Sequence, residues 1–366
     1  MSAANTKLLK GVSRLLRVNR GRTQADPPCQ GSFAGREVSS LNKTALQKGN
    51  GYRMMRRELE AILSQIEKAI CGKSEAIQKI LMAILAEGHI LLDDVPGVGK
   101  TTLAVALSRA TGLAFNRIQF TPDIMPSDIV GFSIYNKGTG VFDYRPGVVI
   151  STNLLLGDEI NRTSSKTQSA LLEAMEEKQV TVDGKTYPLK TPFIVIATQN
   201  SVGTAGTQLL PYAQMDRFMV RLCLGYPDRA AQMDMLRSRQ NANPLDGIEQ
   251  VASLEQVLFM QREVRAVAAK DSILDYITRL VFASREHDMI ELGVSPRGAL
   301  YLDRMAKARA YFQGRDYVIP EDVRTVFCDV CSHRIILSQK ARLSGISAQQ
   351  ALLDVVQAVR VPDREH

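Results

Sequence analysis

Three short stretches of the 366-residue chain set polar groups suited to phosphate chemistry at the ends of apolar runs. The first is DVPGVGKTT (residues 94 to 102), which fits the phosphate-binding pattern G-x-x-x-x-G-K-S/T except that Asp94 stands where the first glycine belongs. Gly97 and Gly99 would let the backbone approach a phosphate closely, and Pro96 would stiffen the turn. The amides of Val98, Gly99, Lys100 and Thr101 would then open a helix whose N-terminus favours anions. Lys100 is the candidate to neutralise β- and γ-phosphate oxygens and the Thr101 hydroxyl the candidate ligand for Mg²⁺, with Thr102 completing the nucleotide-binding turn. Asp is one of the few non-glycine residues that tolerate left-handed backbone. Asp94 is therefore expected in such a conformation, its carboxylate turned away from the phosphates, and Asp94→Gly is expected to leave ATP affinity similar or slightly higher.

The second stretch, NLLLGDE (153 to 159), is an apolar run that ends in two carboxylates. Asp158 is placed to face a metal ion and Glu159 to polarise an attacking water as general base. The third, FIVIATQN (193 to 200), puts Asn200 at the tip of another apolar run, where its amide would hold that water in line.

These groups need elements that bring the tips together. Residues 53 to 86 show helical periodicity broken at Gly72, which predicts two helices and a turn. Strands are predicted at 89 to 94, 115 to 121, 153 to 159 and 193 to 200, with a helix over 101 to 112 and one helical turn at 125 to 131. TSSKTQSALLEAMEEKQVTV reads as a helix that runs into an edge strand, and residues 132 to 149 as an inserted β-hairpin. Continuous apolar strands alternating with helices imply an α/β fold with a parallel sheet covered on both faces and the strand tips on one edge. From about residue 229 the patterns are helical, with a Ser253/Gln256 capping box. The expected division is a basic tail (1 to 50), an α/β core (51 to 228) and a small helical domain (229 to 366).

Composition bounds the rest. With 45% hydrophobic and 23% charged residues the chain suits a soluble protein. It contains no run of the roughly 20 apolar residues that a membrane span needs, so the expected location is the cytoplasm. Five scattered cysteines argue against a disulfide framework. Cys328, Cys331 and His333 have the spacing of half a zinc site but lack a second cysteine pair, and buried helical cysteines are the alternative. The net charge of +8 is concentrated: residues 1 to 50 carry +7 and the rest +1. The tail, with the amphipathic segment LLKGVSRLLRV, is either a disordered solvated arm or a weak contact for an anionic membrane surface or nucleic acid. A nucleic-acid-dependent motor or loader is the alternative function this tail raises, but the nearly neutral body argues against tracking along a polyanion.

The ordered series GHILLDDVPGVGKTTLA, FSIYNKGTGVFDYRPGVV, LLLGDEINR, KTQSALLEAMEEKQVTVDG, FIVIATQN, PYAQMDRF and GVSPRGAL resembles the MoxR family of AAA+ ATPases, over roughly residues 55 to 340. The resemblance implies an Mg²⁺-dependent, ATP-hydrolysing P-loop domain with a β-hairpin insert, followed by a helical lid, in a homo-oligomeric ring, usually a hexamer. It assigns Asn200 as first sensor, Arg297 as second sensor reaching the nucleotide from the lid, and Arg217 as the arginine finger given to a neighbour, with Arg162 a rival for that trans contact. It also places the turn at Ile70, Cys71 and Gly72 against the adenine. By the same resemblance the activity is chaperone-like remodelling or maturation of protein complexes, including metal cofactor insertion, with a von Willebrand A-domain protein as adaptor. Lys73, Ser201, Ala205 and Tyr212 depart from the family's usual residues, and Tyr212, beside the finger, bears on how tightly ring and finger are coupled.

Overall fold

Each of the apolar runs at 89 to 94, 153 to 159 and 193 to 200 has two faces to bury, and the chain satisfies both by stacking helices on either side of one sheet. The computed structural model describes residues 57–199, 210–240 and 243–362. Residues 57 to 69 (α1) and Ser74–Leu85 (α2) are helices flanking the turn at Gly72. They lead into β1 (Ile90–Asp93), α3 (Lys100–Thr111), β2 (Phe115–Gln119) and the short α4 (Pro126–Val130). A hairpin of β3 (Gly131–Asn136) and β4 (Val141–Pro146) follows, then β5 (Leu154–Asp158) and α5 (Ser165–Glu177). A second hairpin, β6 (Gln179–Val182) with β7 (Lys185–Pro188), precedes β8 (Ile194–Gln199). Beyond it come α6 (Tyr212–Met215), β9 (Val220–Leu222) and α7 (Arg229–Ser238). The rest is α8 (Leu254–Ala266), α9 (Asp271–Glu286), β10 (Ile290–Leu292), α10 (Pro296–Phe312), α11 (Pro320–Cys331), β11 (Ile336–Leu337), α12 (Gln339–Leu343) and α13 (Ala348–Ala358).

The main sheet has five parallel strands in the order β2-β5-β8-β1-β9. Leu91, Leu155, Val195 and Ala197 pack on one face with Leu171, Leu172 and Met175 of α5. Ile90, Leu92, Leu154, Leu156, Ile194 and Ile196 pack on the other with α1, α2 and α3. The strand period of two is thus hidden inside uniformly apolar runs because both faces are covered. The second cluster continues without a break into Val257 and Met260 of α8, Leu302 and Met305 of α10, and Val326 and Phe327 of α11. The described residues belong to one compact unit.

Several expectations change. QVTV is not an edge strand of the main sheet; it pairs only with β7, because the chain turns back at Asp183-Gly184. The sheet's own edge beside β1 is β9, too short to register as a strand signal. The pattern beyond residue 229 is not helical throughout: α11 stops at Cys331, and Ile336–Leu337 pairs with β10. Burial pushes the Cys331 thiol up to about 12 and His333 well below its ordinary value. Cys331 is buried and Cys328 partly buried, and among the described residues no group of three or more His, Cys, Asp or Glu is placed to hold a metal ion. Among the same residues no helix is long and apolar enough to cross a membrane.

The β3–β4 hairpin leaves Phe132, Ile134, Tyr135, Val141 and Phe142 exposed. Its base is fixed by Tyr144, which stacks on Tyr187 of β7 with ring centroids 4.0 Å apart.

Candidate active site

β1, β5 and β8 are parallel neighbours, so their C-terminal ends open on one edge, with Asp93 level with Gln199 and Gln119 level with Asp158. From β1 the chain passes through a loop in which Gly97 and Gly99 have φ of 83° and 94°. A Cβ on Gly99 would stand 3.3 Å from Ile70 Cδ1, so glycine serves both the backbone and the close approach of α1's end. Lys100 opens α3 and is buried; its Nζ donates to the Asp94 carbonyl at 2.9 Å. Burial pulls the ammonium below the ordinary lysine value, against the opposing field of Asp94, Asp158, Asp93 and Glu159.

Asp94 corrects the sequence expectation. It is not among the non-glycine residues with positive φ, which in the described chain are Glu87, Glu159, Lys178 and Asp183. Its carboxylate does turn from the loop, but to a purpose: Oδ1 accepts from the Val95 amide at 2.9 Å, and Oδ2 from the amides of Leu224 and Gly225, the latter at 2.8 Å. Asp94 therefore staples the phosphate loop to the chain leaving β9, a role a first glycine could not fill.

A cavity of about 600 Å³ lies over this edge. Pro96, Gly97, Val98, Gly99, Lys100, Thr101 and Thr102 line one end with Asp158 and Glu159; Ile70, Cys71, Tyr226, Pro227 and Met235 form an apolar end suited to a base. Gly72 does not line it. At φ 71° it lets α7 come close, since a Cβ there would lie 2.6 Å from Ala231 Cβ.

The two carboxylates are oriented by residues nothing in the sequence marked. Thr198 Oγ1 donates to Asp158 Oδ1 at 2.6 Å and accepts from the Glu159 amide at 2.9 Å. Asp158 Oδ2 also accepts from Arg117 at 2.7 Å. Glu159 is held in left-handed backbone at φ 58°, a strained conformation of the kind that collects at functional sites. Its Oε2 accepts from Gln119 Nε2 at 2.9 Å and from Arg162 at 2.7 Å, so Arg162 serves its own chain's Glu159 here. Arg117 and Gln119, two apart on β2, share one side of that strand, and their roles depend on register. The Thr101 hydroxyl and the Asp158 carboxylate in one cavity are hard oxygen donors, which suits Mg²⁺, an ion that takes few protein ligands and fills its shell with phosphate and water.

Arg217 and Arg297 are elsewhere. Both meet Glu176, near the C-terminal end of α5: Arg217 Nε lies 3.2 Å from Oε2, and Arg297 pairs with Oε1. Neither lines the cavity, although the family resemblance has Arg297 reach the nucleotide from the lid. Tyr212 is exposed at the start of α6. Asn200, Ser201 and Ala205 lie outside the described residues.

Comparison with known proteins agrees with this arrangement. Residues 89–220 match the family described as ATPase family associated with various cellular activities (AAA), and residues 282–355 match the AAA lid domain. The chain is 48% identical over 300 residues to the uncharacterised protein YeaC of Bacillus subtilis (strain 168), covering 82% of this chain and 93% of that one. It is 38% identical over 313 residues to Chaperone MoxR1 of Mycobacterium tuberculosis, covering 83% and 82% of the two chains. A crystal structure from Cytophaga hutchinsonii, provisionally named an ATPase, superimposes with a TM-score of 0.80 at 40% identity, covering 90% of this chain and all of that one.

Proposed function

The chain belongs to the MoxR family of AAA+ ATPases and hydrolyses ATP, and from that premise we propose that it does so with Mg²⁺ at sites shared between the subunits of a ring, a hexamer by family analogy. The observation that carries this is the separation of the parts. Lys100, Asp158 and Glu159 surround the cavity, while Arg217 and Arg297 gather at Glu176 outside it. A developing charge on the γ-phosphate calls for a cation, and a neighbouring subunit's arginine pair is the available source.

Within one chain, the loop amides and Lys100 would bind the phosphates, Thr101 and Asp158 would hold the metal, and Glu159 would take the proton of the attacking water, with Asn200 orienting it. Mg²⁺ would supply neutralisation of the β- and γ-oxygens. Gln119 and Arg162 both occupy Glu159 Oε2 here, so the general base is released for its work when nucleotide and neighbour rearrange those contacts.

The work done with ATP is proposed to be chaperone-like remodelling or maturation of protein complexes in the cytoplasm, with metal cofactor insertion as one form and a von Willebrand A-domain adaptor as partner. The exposed Phe132, Tyr135 and Phe142 on the hairpin support a protein target, because apolar surface of that kind marks interaction sites. Three measurements test this. Specific activity should rise with protein concentration, and an inactive Arg217→Ala variant mixed with inactive Lys100→Ala should regain turnover; no recovery would remove the shared site. Tight DNA binding with a steep salt slope and stimulated hydrolysis would replace remodelling by a nucleic-acid motor.

A further inference from the structure

Arg334 has a fully buried side chain, in the turn that follows α11, and its surroundings explain why a guanidinium is worth burying there. Nε donates to Asp216 Oδ1 at 2.9 Å. One terminal nitrogen donates to the carbonyls of Asp216, at 2.9 Å, and Phe218; the other donates to that of Met219, at 3.2 Å, and to Val330. The carbonyl of Arg217 itself accepts from the Tyr301 hydroxyl at 3.4 Å, and the Tyr301 ring lies against the Arg334 guanidinium with its centroid 5.1 Å away. Every backbone carbonyl from 216 to 219 is therefore held by a side chain of the helical region. The Arg217 side chain, with its carbonyl so held, is about 32% exposed and meets Glu176.

The same carboxylate fixes the other arginine. Asp216 Oδ1 also accepts from Ser295 Oγ at 2.9 Å, and Ser295 is the N-cap of α10, whose first turn carries Arg297. Gly298, in that turn, leaves room for the clamp: a Cβ there would come within 2.8 Å of Arg334 Cδ.

We propose that Arg334 is a positioning residue that, through Asp216, holds Arg217 and Arg297 as one preformed pair for the neighbouring subunit's nucleotide. A buried guanidinium is costly unless its donors are satisfied, and here they are satisfied by the backbone whose placement matters. The pair therefore moves as a unit with the helical region. This rests on the shared-site function proposed above.

The test is Arg334→Met, which keeps an unbranched apolar stem and removes the donors. A fluorescent ATP analogue should bind as tightly as to the parent protein, and turnover should fall on the order of 10²-fold, as for a displacement of about 1 Å at a reacting centre. Mixing with Lys100→Ala subunits should restore turnover, because the variant's own pocket is intact and the partner's arginines are correctly held. Tyr301→Phe keeps the buried charge and should give a smaller loss with the same rescue; it decides the matter if Arg334→Met does not fold. Full activity in these variants would overturn the proposal. So would a loss that mixing does not restore while an Arg217→Ala mixture is restored. If the Arg217→Ala mixture is not restored either, the shared site fails and this proposal fails with it.

Discussion

In the cavity, Lys100, Asp158 and Glu159 take their partners from adjoining strands and turns; at Glu176, Arg217 and Arg297 arrive from regions far apart in sequence and are held by packing of the helical region. The two are joined by α5, which starts just after the Glu159 turn and reaches Glu176 roughly 16 Å further along its axis. The contrast separates two tasks. In the proposed shared site, binding phosphate and polarising water need groups fixed to one sheet edge, whereas supplying charge to another subunit would need groups fixed to a surface.

Replacing Arg217 by Ala should strain that contrast most, lowering turnover by about 10³-fold or more with ATP affinity unchanged. A parallel loss of affinity would put Arg217 in its own chain's cavity. Glu159→Gln should lower turnover by about 10²- to 10⁴-fold while binding persists, and unchanged turnover would end the general-base assignment.

A pH experiment addresses what links the regions. His89, just before β1, joins the Glu176 end of α5 to the sheet: Nε2 meets the carbonyl of Met175, next to Glu176, at 3.1 Å, and Nδ1 accepts from the Val195 amide of β8 at 3.0 Å. Burial lowers its pKa from 6.5 to about 4. The fold keeps it neutral while the unfolded chain protonates it, so its contribution is complete above about pH 6.5 and is lost progressively as pH falls toward about 4, by up to about 3 kcal/mol. His333 contributes with the same sign. The difference between parent and His89→Gln in urea unfolding across this range isolates His89, and a pH-independent difference would contradict its neutral burial. The smallest expected effect belongs to Asp94→Gly, a loss of about 1–3 kcal/mol from the staple to Leu224 and Gly225 together with weaker ATP binding. Unchanged melting and affinity would return Asp94 to the passive role its position in the pattern first suggested.

The cavity was legible because its parts are local: a glycine turn between strand and helix, and two carboxylates ending an apolar run. The parallel sheet was legible for the same reason, since β1, β5 and β8 are apolar runs. β9 escaped because three residues carry no period, and β6 was misplaced because alternation marks a strand without naming its partner. Gln119 and Thr198 acquire meaning only through register. Arg334 lies further out of reach, since nothing in SHRIIL announces that the backbone of residues 216 to 219 will close around its guanidinium.

The core running from the sheet through α2 into α8 and α10, with α11 packed on β9, has a mechanical consequence. No seam of weak contacts divides the sheet from these helices, so heat should melt residues 57 to 362 in one calorimetric transition, and two resolved peaks would show a seam after all. A block without an internal hinge does not flex to do work. In the ring proposed above, force from ATP hydrolysis would then be delivered as whole subunits turning against one another, with each arginine pair riding on one block and pushing on the next.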